Sequence, residues 1–440
     1  MKDTKILSLG FVTSNKPSDL ALQEILDQQG IIYEMITPKA DTSRIYPIVL
    51  MSEYTDSNSQ LVKERCAIDE NVLIASKIID LQKIHQCLSG LVQAKEDQLE
   101  LFVNKQSEVL IQNIRDGLAK LNLPLVRKWY WPRGAKACCV LTHDIDWLEY
   151  SPFHKTVLSR QLGIINAAKL ILGAIFRKNY GCNIPEMIGL EKKFGNKSTF
   201  FFRTEYSERE LNLVNICVRL LKENNFELGL HASHSSHKLA SALKSEIAEF
   251  QRLFDNSPDG LRYHILRFDV PSSWQIEDDE GIQYDATFGY NEFFGFRSEV
   301  CFPYHPLSVQ NHFNVIELPT SFMDWTLLHR HKRGSSAESE LLRVKESVEK
   351  YNGVLVVNFH NTYLNRNTFP DILDLYASLL KQVSRENYWI PTASECIRWW
   401  NERASAMPNP RMGSFGEVVV STTPVQIVAS GNKEFLIRNE

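Results

Sequence analysis

No run in this 440-residue chain approaches the ~18 uninterrupted apolar residues that a membrane-spanning helix needs, so a helical membrane protein is excluded. Charge of one sign is not in excess either. Lys plus Arg number 49 against 53 Asp plus Glu, a net of −4, and the basic residues form no arginine-rich, zinc-finger or RNP-like pattern. Nucleic acid is therefore not an expected partner. Eight cysteines occur, at 66, 87, 138, 139, 182, 217, 301 and 396, yet none forms Cys-x-x-Cys and most lie in apolar runs. That usage reads as buried thiols in a reducing compartment rather than a disulfide framework. The apolar stretch 6–12 is too short for a signal-peptide core and no small-x-small cleavage site follows it. A cytoplasmic protein is the expectation. What remains, 43% hydrophobic and 23% charged residues, is the composition of a soluble globular chain long enough for two to three domains.

Residues 1–125 alternate strand-like runs (6–12, 31–36, 46–51, 72–75) with a helix near 20–29 and a mainly helical stretch over 79–121, which predicts an α/β layered module. It holds no Gly-x-Gly-x-x-Gly, phosphate loop or acid–histidine cluster, so its role is not legible. Pro124 and Pro132 mark a connector into a second unit, 126–402, where strand and helix again alternate. Such alternation predicts a parallel sheet or barrel with its active groups at the C-terminal ends of the strands. An insertion at 157–177 places Arg160, Gly163, Asn166, Lys169, Gly173 and Arg177 on one helix face. Its opposite face is apolar, suited to docking on the protein or lying on a membrane surface. Residues 403–440 read as a β-rich tail of two or three strands.

The strongest chemical signal is Leu-Thr-His-Asp-Ile-Asp at 141–146, at the end of the apolar run 137–141. Strand geometry sends Asp144 and Asp146 to one face. Two carboxylates sharing a buried face repel unless a cation, a proton or a donor intervenes, so the pair points to a metal and acid–base site. Further clusters follow apolar runs in order: Asn-Lys-Ser-Thr-Phe-Phe-Phe at 196–202, Glu-Leu-Gly-Leu-His-Ala-Ser-His at 227–234, Leu-Arg-Phe-Asp at 266–269, Met-Asp-Trp at 323–325 and Val-Val-Asn-Phe-His-Asn at 356–361.

This series over roughly 130–400 resembles the polysaccharide deacetylases of carbohydrate esterase family 4, the NodB-homology domain, in a divergent branch whose first motif is His-Asp-x-Asp. The resemblance implies an α/β fold, a distorted seven-stranded (β/α) barrel. It also implies a hydrolase that removes N- or O-linked acetyl groups from a glycan or glycan precursor. By that likeness Asp144 is the general base, Asp146 and His231 bind a divalent metal, Arg267 orients the base, Asp324 tunes His360, and His360 protonates the leaving group. A histidine is poised for that last task because its ordinary pKa lies near neutrality. Zinc is favoured by imidazole ligands. The chain departs from the family at position 235, where serine replaces the second ligand histidine; His234, three residues after His231, takes that ligand role in this reading. Arg262, His264, Arg297 and Trp325 are candidate substrate-binding groups. With no export signal, an intracellular or lipid-linked sugar precursor is the expected substrate.

Two other readings stand beside this one. Ser235 fits a barrel that has lost its metal triad and serves as a silent glycan-binding or scaffolding protein. A metal-dependent phosphoesterase is disfavoured because no basic phosphate-gripping cluster accompanies the acids.

Overall fold

The computed structural model describes residues 6–13, 16–36, 45–53, 65, 72–94, 99–148, 182–330, 336–421, 423, 425–431 and 434–439. The amphipathic insertion expected at 157–177 lies outside them. Among the described residues, no helix is long and apolar enough to cross a membrane.

The first unit is a four-stranded parallel sheet, β1 (Leu9–Val12), β2 (Tyr33–Ile36), β3 (Val49–Met51) and β4 (Val72–Ile74), in the order β2-β1-β3-β4. Helices Pro17–Gln28, Leu81–Leu88 and Phe102–Lys120 cover it. The connector forms β5 (Leu125–Lys128), and Trp131 behind it is fully buried with its indole N–H donating to Asn352 O (2.6 Å). One apolar cluster runs without interruption from Leu22, Ile25 and Ile48 through Trp131 to Val140, Phe302 and Val354, so the first unit and the main sheet share a core.

The main sheet contains β6 (Ala137–Ile145), β7 (Thr199–Phe202), β8 (Glu227–Ala232), β9 (Gly260–Tyr263), β10 (Tyr284–Asp285), β11 (Ile316–Glu317), β12 (Thr320–Met323), β13 (Val354–Asn358) and β14 (Tyr388–Trp389). All pair in parallel, in the order β11-β10-β9-β8-β7-β6-β13-β12, with β14 also on β6. Every residue of β6 is buried, as suits a central parallel strand covered on both faces. The connectivity dictates a curl. The edge strands β11 and β12 are joined by Leu318 and Pro319 alone, which span about 11 Å at most. Eight strands laid flat would hold those edges roughly 34 Å apart. The sheet must therefore roll almost into a barrel, and the C-terminal ends of β6, β8, β9, β12 and β13 converge on one rim. This is the α/β barrel-like fold expected, built from nine strands, three of them only two residues long, with a gap between β11 and β12.

The tail forms β15 (Arg411–Met412), β16 (Val418–Val420), β17 (Ile427–Ser430) and β18 (Ile437–Asn439). β17 pairs antiparallel with β5, which ties the chain's end to the connector.

Candidate active site and metal centre

Period-two alternation along β6 sorts its motif. Thr142 and Asp144 point to one side and His143 to the other. Arg262, at the end of β9 and with a fully buried side chain, donates from Nη1 to Thr142 Oγ1 (2.8 Å) and Asp144 Oδ1 (2.9 Å), from Nε to Ala286 O (2.8 Å) and from Nη2 to Thr320 Oγ1 (3.0 Å). Its guanidinium lies over the Phe201 ring, 4.6 Å from the centroid. Asn358 Nδ2 donates to the second oxygen, Asp144 Oδ2 (2.7 Å). Burial alone would push the Asp144 carboxyl up, but the Arg262 charge, helped by His231 and His360, holds it well below the usual carboxylate range. Asp144 is thus a buried, ionised and aligned proton acceptor.

Opposite it stands His360, just past β13, with Nε2 3.7 Å from Asp144 Oδ2. Asp324, at the first position after β12, accepts from His360 Nδ1 (2.6 Å) and from its backbone N–H (2.7 Å). Burial would lower the imidazole pKa, but Asp324, with Asp146 and Asp144 adding to it, carries it up to about 9. Burial also pushes Asp324 up; with two His360 donors aimed at its carboxylate, the proton belongs on the imidazole. The pair presents an ionised acceptor and a protonated donor face to face near neutral pH.

Asp146, His231 and His264 bring one donor atom each together. His231 Nε2 lies 3.1 Å from His264 Nδ1 and 3.4 Å from Asp146 Oδ1, and His264 Nδ1 lies 3.5 Å from that same oxygen. Bonds of about 2.0–2.1 Å to a tetrahedral ion require donor–donor edges of about 3.3–3.4 Å. The triangle matches that requirement. His231 Nδ1 donates to Arg262 O (2.9 Å), which fixes the ring and leaves Nε2 facing its partners, as a metal-bound imidazole needs. Asp146 Oδ1 is buried without an aligned hydrogen-bond donor, although both imidazoles are within ion-pair range. A buried carboxylate oxygen left unsatisfied beside two imidazoles fits a divalent cation.

His143, on the far face of β6, donates from Nδ1 to Phe359 O (2.7 Å), while its Nε2 meets Glu191 Oε1 (2.8 Å), which also accepts from Tyr376 OH (2.8 Å). This buried network pins the residue before His360 to the residue before Asp144.

Five of the sequence expectations need correction. His234 is exposed, on a turn tied down by Glu246, which accepts from Ser233 N and Ser236 Oγ. Its place in the triangle is filled by His264, which had been assigned to the substrate. Arg267 is exposed beyond the turn 264–266, where Ile265 and Leu266 take left-handed φ of 54° and 49° and break the strand's alternation. The guanidinium beside Asp144 is that of Arg262, a candidate substrate-binding group on sequence. Arg297 donates to Gln93 Oε1 (2.9 Å) and packs over Phe288 (4.3 Å), contacts that occupy its guanidinium away from the triangle and the Asp144–His360 pair. Trp325 does border the site: its ring lies 6.3 Å from Tyr363, whose ring is 5.7 Å from His360. Asn358 was missed altogether, although Asn-x-His at 358–360 carries the same two-residue spacing as Asp-x-Asp.

No family model matches the chain, and no curated protein matches its sequence. Among solved structures it is similar to a protein described as a polysaccharide deacetylase from Mycobacterium smegmatis, with 16% identity, a TM-score of 0.45, and 62% of this chain and 93% of that one covered. An allantoinase is similar at 14% identity and the same TM-score, covering 63% and 94%. A CE4 family pseudoenzyme from Bacillus anthracis follows at 13% identity and a TM-score of 0.34, covering 60% and 66%. These neighbours thus include both enzymes and a pseudoenzyme, and at such distances what the site can do follows from its own side chains.

Proposed function

We propose that this chain is a metal-dependent hydrolase that removes an acetyl group, N- or O-linked, from a glycan or glycan precursor. The observation that carries the reading is the donor triangle of Asp146, His231 and His264 on the same rim as an ionised carboxylate and a protonated imidazole 3.7 Å apart. A divalent ion held by that triangle, zinc being the best match to two imidazoles and a carboxylate, supplies polarisation of the acyl carbonyl and a more acidic water. Asp144 takes a proton from the attacking water, and Arg262 and Asn358 keep its oxygens aligned for that transfer. The carbonyl carbon gains the water oxygen and then loses its bond to nitrogen or oxygen. His360 delivers its Nε2 proton to the departing amine or alkoxide, while Asp324 holds the imidazole by Nδ1 and stabilises its charge. Trp325 and Tyr363 form an aromatic wall suited to a sugar face.

The test is acetate release from a panel of acetylated amino sugars and acetyl-ester sugars, using purified protein loaded with zinc. Release that falls by about two to four orders of magnitude in Asp144→Asn supports the reading. An inactive protein, or activity untouched by Asp144→Asn, overturns it; inactivity with glycan binding retained would favour the silent barrel that Ser235 suggests.

A further inference from the structure

We infer that the chain carries a second binding site, for a small phosphorylated molecule, between helix Phe102–Lys120, the connector strand β5 and the residues just ahead of β13. A cavity of about 460 Å³ opens there. Asn104, Glu108 and Arg115 line it from the helix, and Arg127, Tyr130 and Lys350 from the opposite wall. It lies far from the acyl site: the wall includes Asn352, ahead of β13, whereas His360 follows that strand, a separation of more than about 15 Å along it.

The lining is built to accept an anion. Asn104 is 1% exposed, and its Oδ1 accepts from Cys301 N–H (3.1 Å), which fixes the amide and leaves Nδ2 buried with no acceptor. Arg115 Nε and Arg127 Nε are likewise buried and unpartnered. A buried donor without an acceptor costs about 1–3 kcal/mol, and three in one cavity are satisfied together by a ligand rich in acceptor oxygens. Among the described residues, none of Arg115, Arg127 and Lys350 forms an ion pair within 4.0 Å; Lys350 lies over the Tyr351 ring (4.8 Å) and is attracted by Glu108, the one acid on the wall, which is exposed, and Arg127 donates from Nη1 to Tyr130 OH (3.0 Å). The unpartnered Nε groups of two guanidiniums and the Lys350 ammonium, all lining one cavity, suit a phosphoryl group, whose oxygens accept from several donors at once. The volume exceeds that of a bare phosphate and falls within the range of small-ligand sites, roughly 300–1,000 Å³. A phosphorylated monosaccharide has the charge and the bulk to fill it. This assignment does not depend on the acyl chemistry proposed for the other rim.

Calorimetric titration of the full chain with glucose 6-phosphate, inorganic phosphate and glucose tests it. Saturable binding of a phosphate-bearing probe, no binding of glucose, and a loss of about tenfold in affinity in both Arg115→Gln and Lys350→Gln are expected. These two side chains sit at partly exposed or exposed helix positions, so the variants fold, which circular dichroism verifies. Neither phosphate-bearing probe binding, or binding undiminished in Arg115→Gln, overturns the site. Binding abolished by His264→Ala instead places the anion at the first site and overturns it equally.

Discussion

Replacing Arg262 by methionine removes the guanidinium that lies against Asp144 Oδ1, the strongest of the charges that hold its carboxyl down, while keeping most of the volume of a fully buried side chain. Four hydrogen bonds go with it, and Asp144 Oδ1 loses its aligned donor, while Oδ2 keeps the Asn358 hydrogen bond and His360 Nε2 at 3.7 Å. Breaking a buried pair by deleting one member strands the other charge, which costs about 3–5 kcal/mol of folding stability. The sign with pH follows from the carboxylate. In the native protein its pKa is depressed, so its stabilisation is complete above the unfolded value of about 3.9 and is lost as pH falls through the folded one. In Arg262→Met, burial raises the pKa and protonation relieves the stranded charge. The stability gap between the two proteins is therefore widest near pH 7 and narrows toward about pH 4. Urea denaturation across that range reads it directly. Adding Asp144→Asn to Arg262→Met removes the stranded charge and should return about 2 kcal/mol at pH 7. Arg267→Met, at an exposed position, should change stability by no more than about 0.5 kcal/mol. A gap that stays flat with pH, together with a double variant no more stable than the single one, would refute the assignment of Arg262 as the partner of Asp144.

Three further outcomes are expected. Acetate release should decline as pH rises through about 9, because His360 acts in its protonated form and its pKa is held near that value; in Asp324→Asn the alkaline limb should move down toward the ordinary histidine range, read from kcat against pH. Gly229→Ala should lower stability by about 1–3 kcal/mol in thermal melts, since a Cβ there would meet Phe201 Cδ1 at 2.5 Å and press on the ring beneath Arg262. Tyr376→Phe should lower kcat more than it raises KM, because the Glu191–His143 network positions His360 and Asp144 without touching substrate.

Much of the rim was legible because strand periodicity is local. The runs leading to Asp144, His231 and His360 are buried strands with their polar residues at the C-terminal end, and the two-residue period that puts Asp144 and Asp146 on one face needs no reference to the rest of the chain. The errors fall where a short-range rule met a turn. Residues 263–268 read as a strand, but β9 runs over Gly260–Tyr263, and two left-handed residues then carry Arg267 outward and leave Arg262 and His264 facing in. Register did the rest. Arg262 pairs opposite His231, a relation between strands 31 residues apart that no pattern within either strand reveals. His234 was favoured over His264 by proximity in sequence, whereas the serine-rich turn held by Glu246 points it to solvent. The strand β12 is not legible in the sequence, although the curled barrel it helps to form was expected from the resemblance: four residues following a proline carry too little periodicity to be seen.

Asp146, His231 and His264 are proposed to hold one divalent ion together. Elemental analysis after zinc loading and desalting tests it most directly. About one equivalent of zinc per chain is expected in the native protein and in His234→Ala, and a loss of at least about tenfold in affinity in His264→Ala. Zinc retained in full by His264→Ala, or lost from His234→Ala instead, would contradict it.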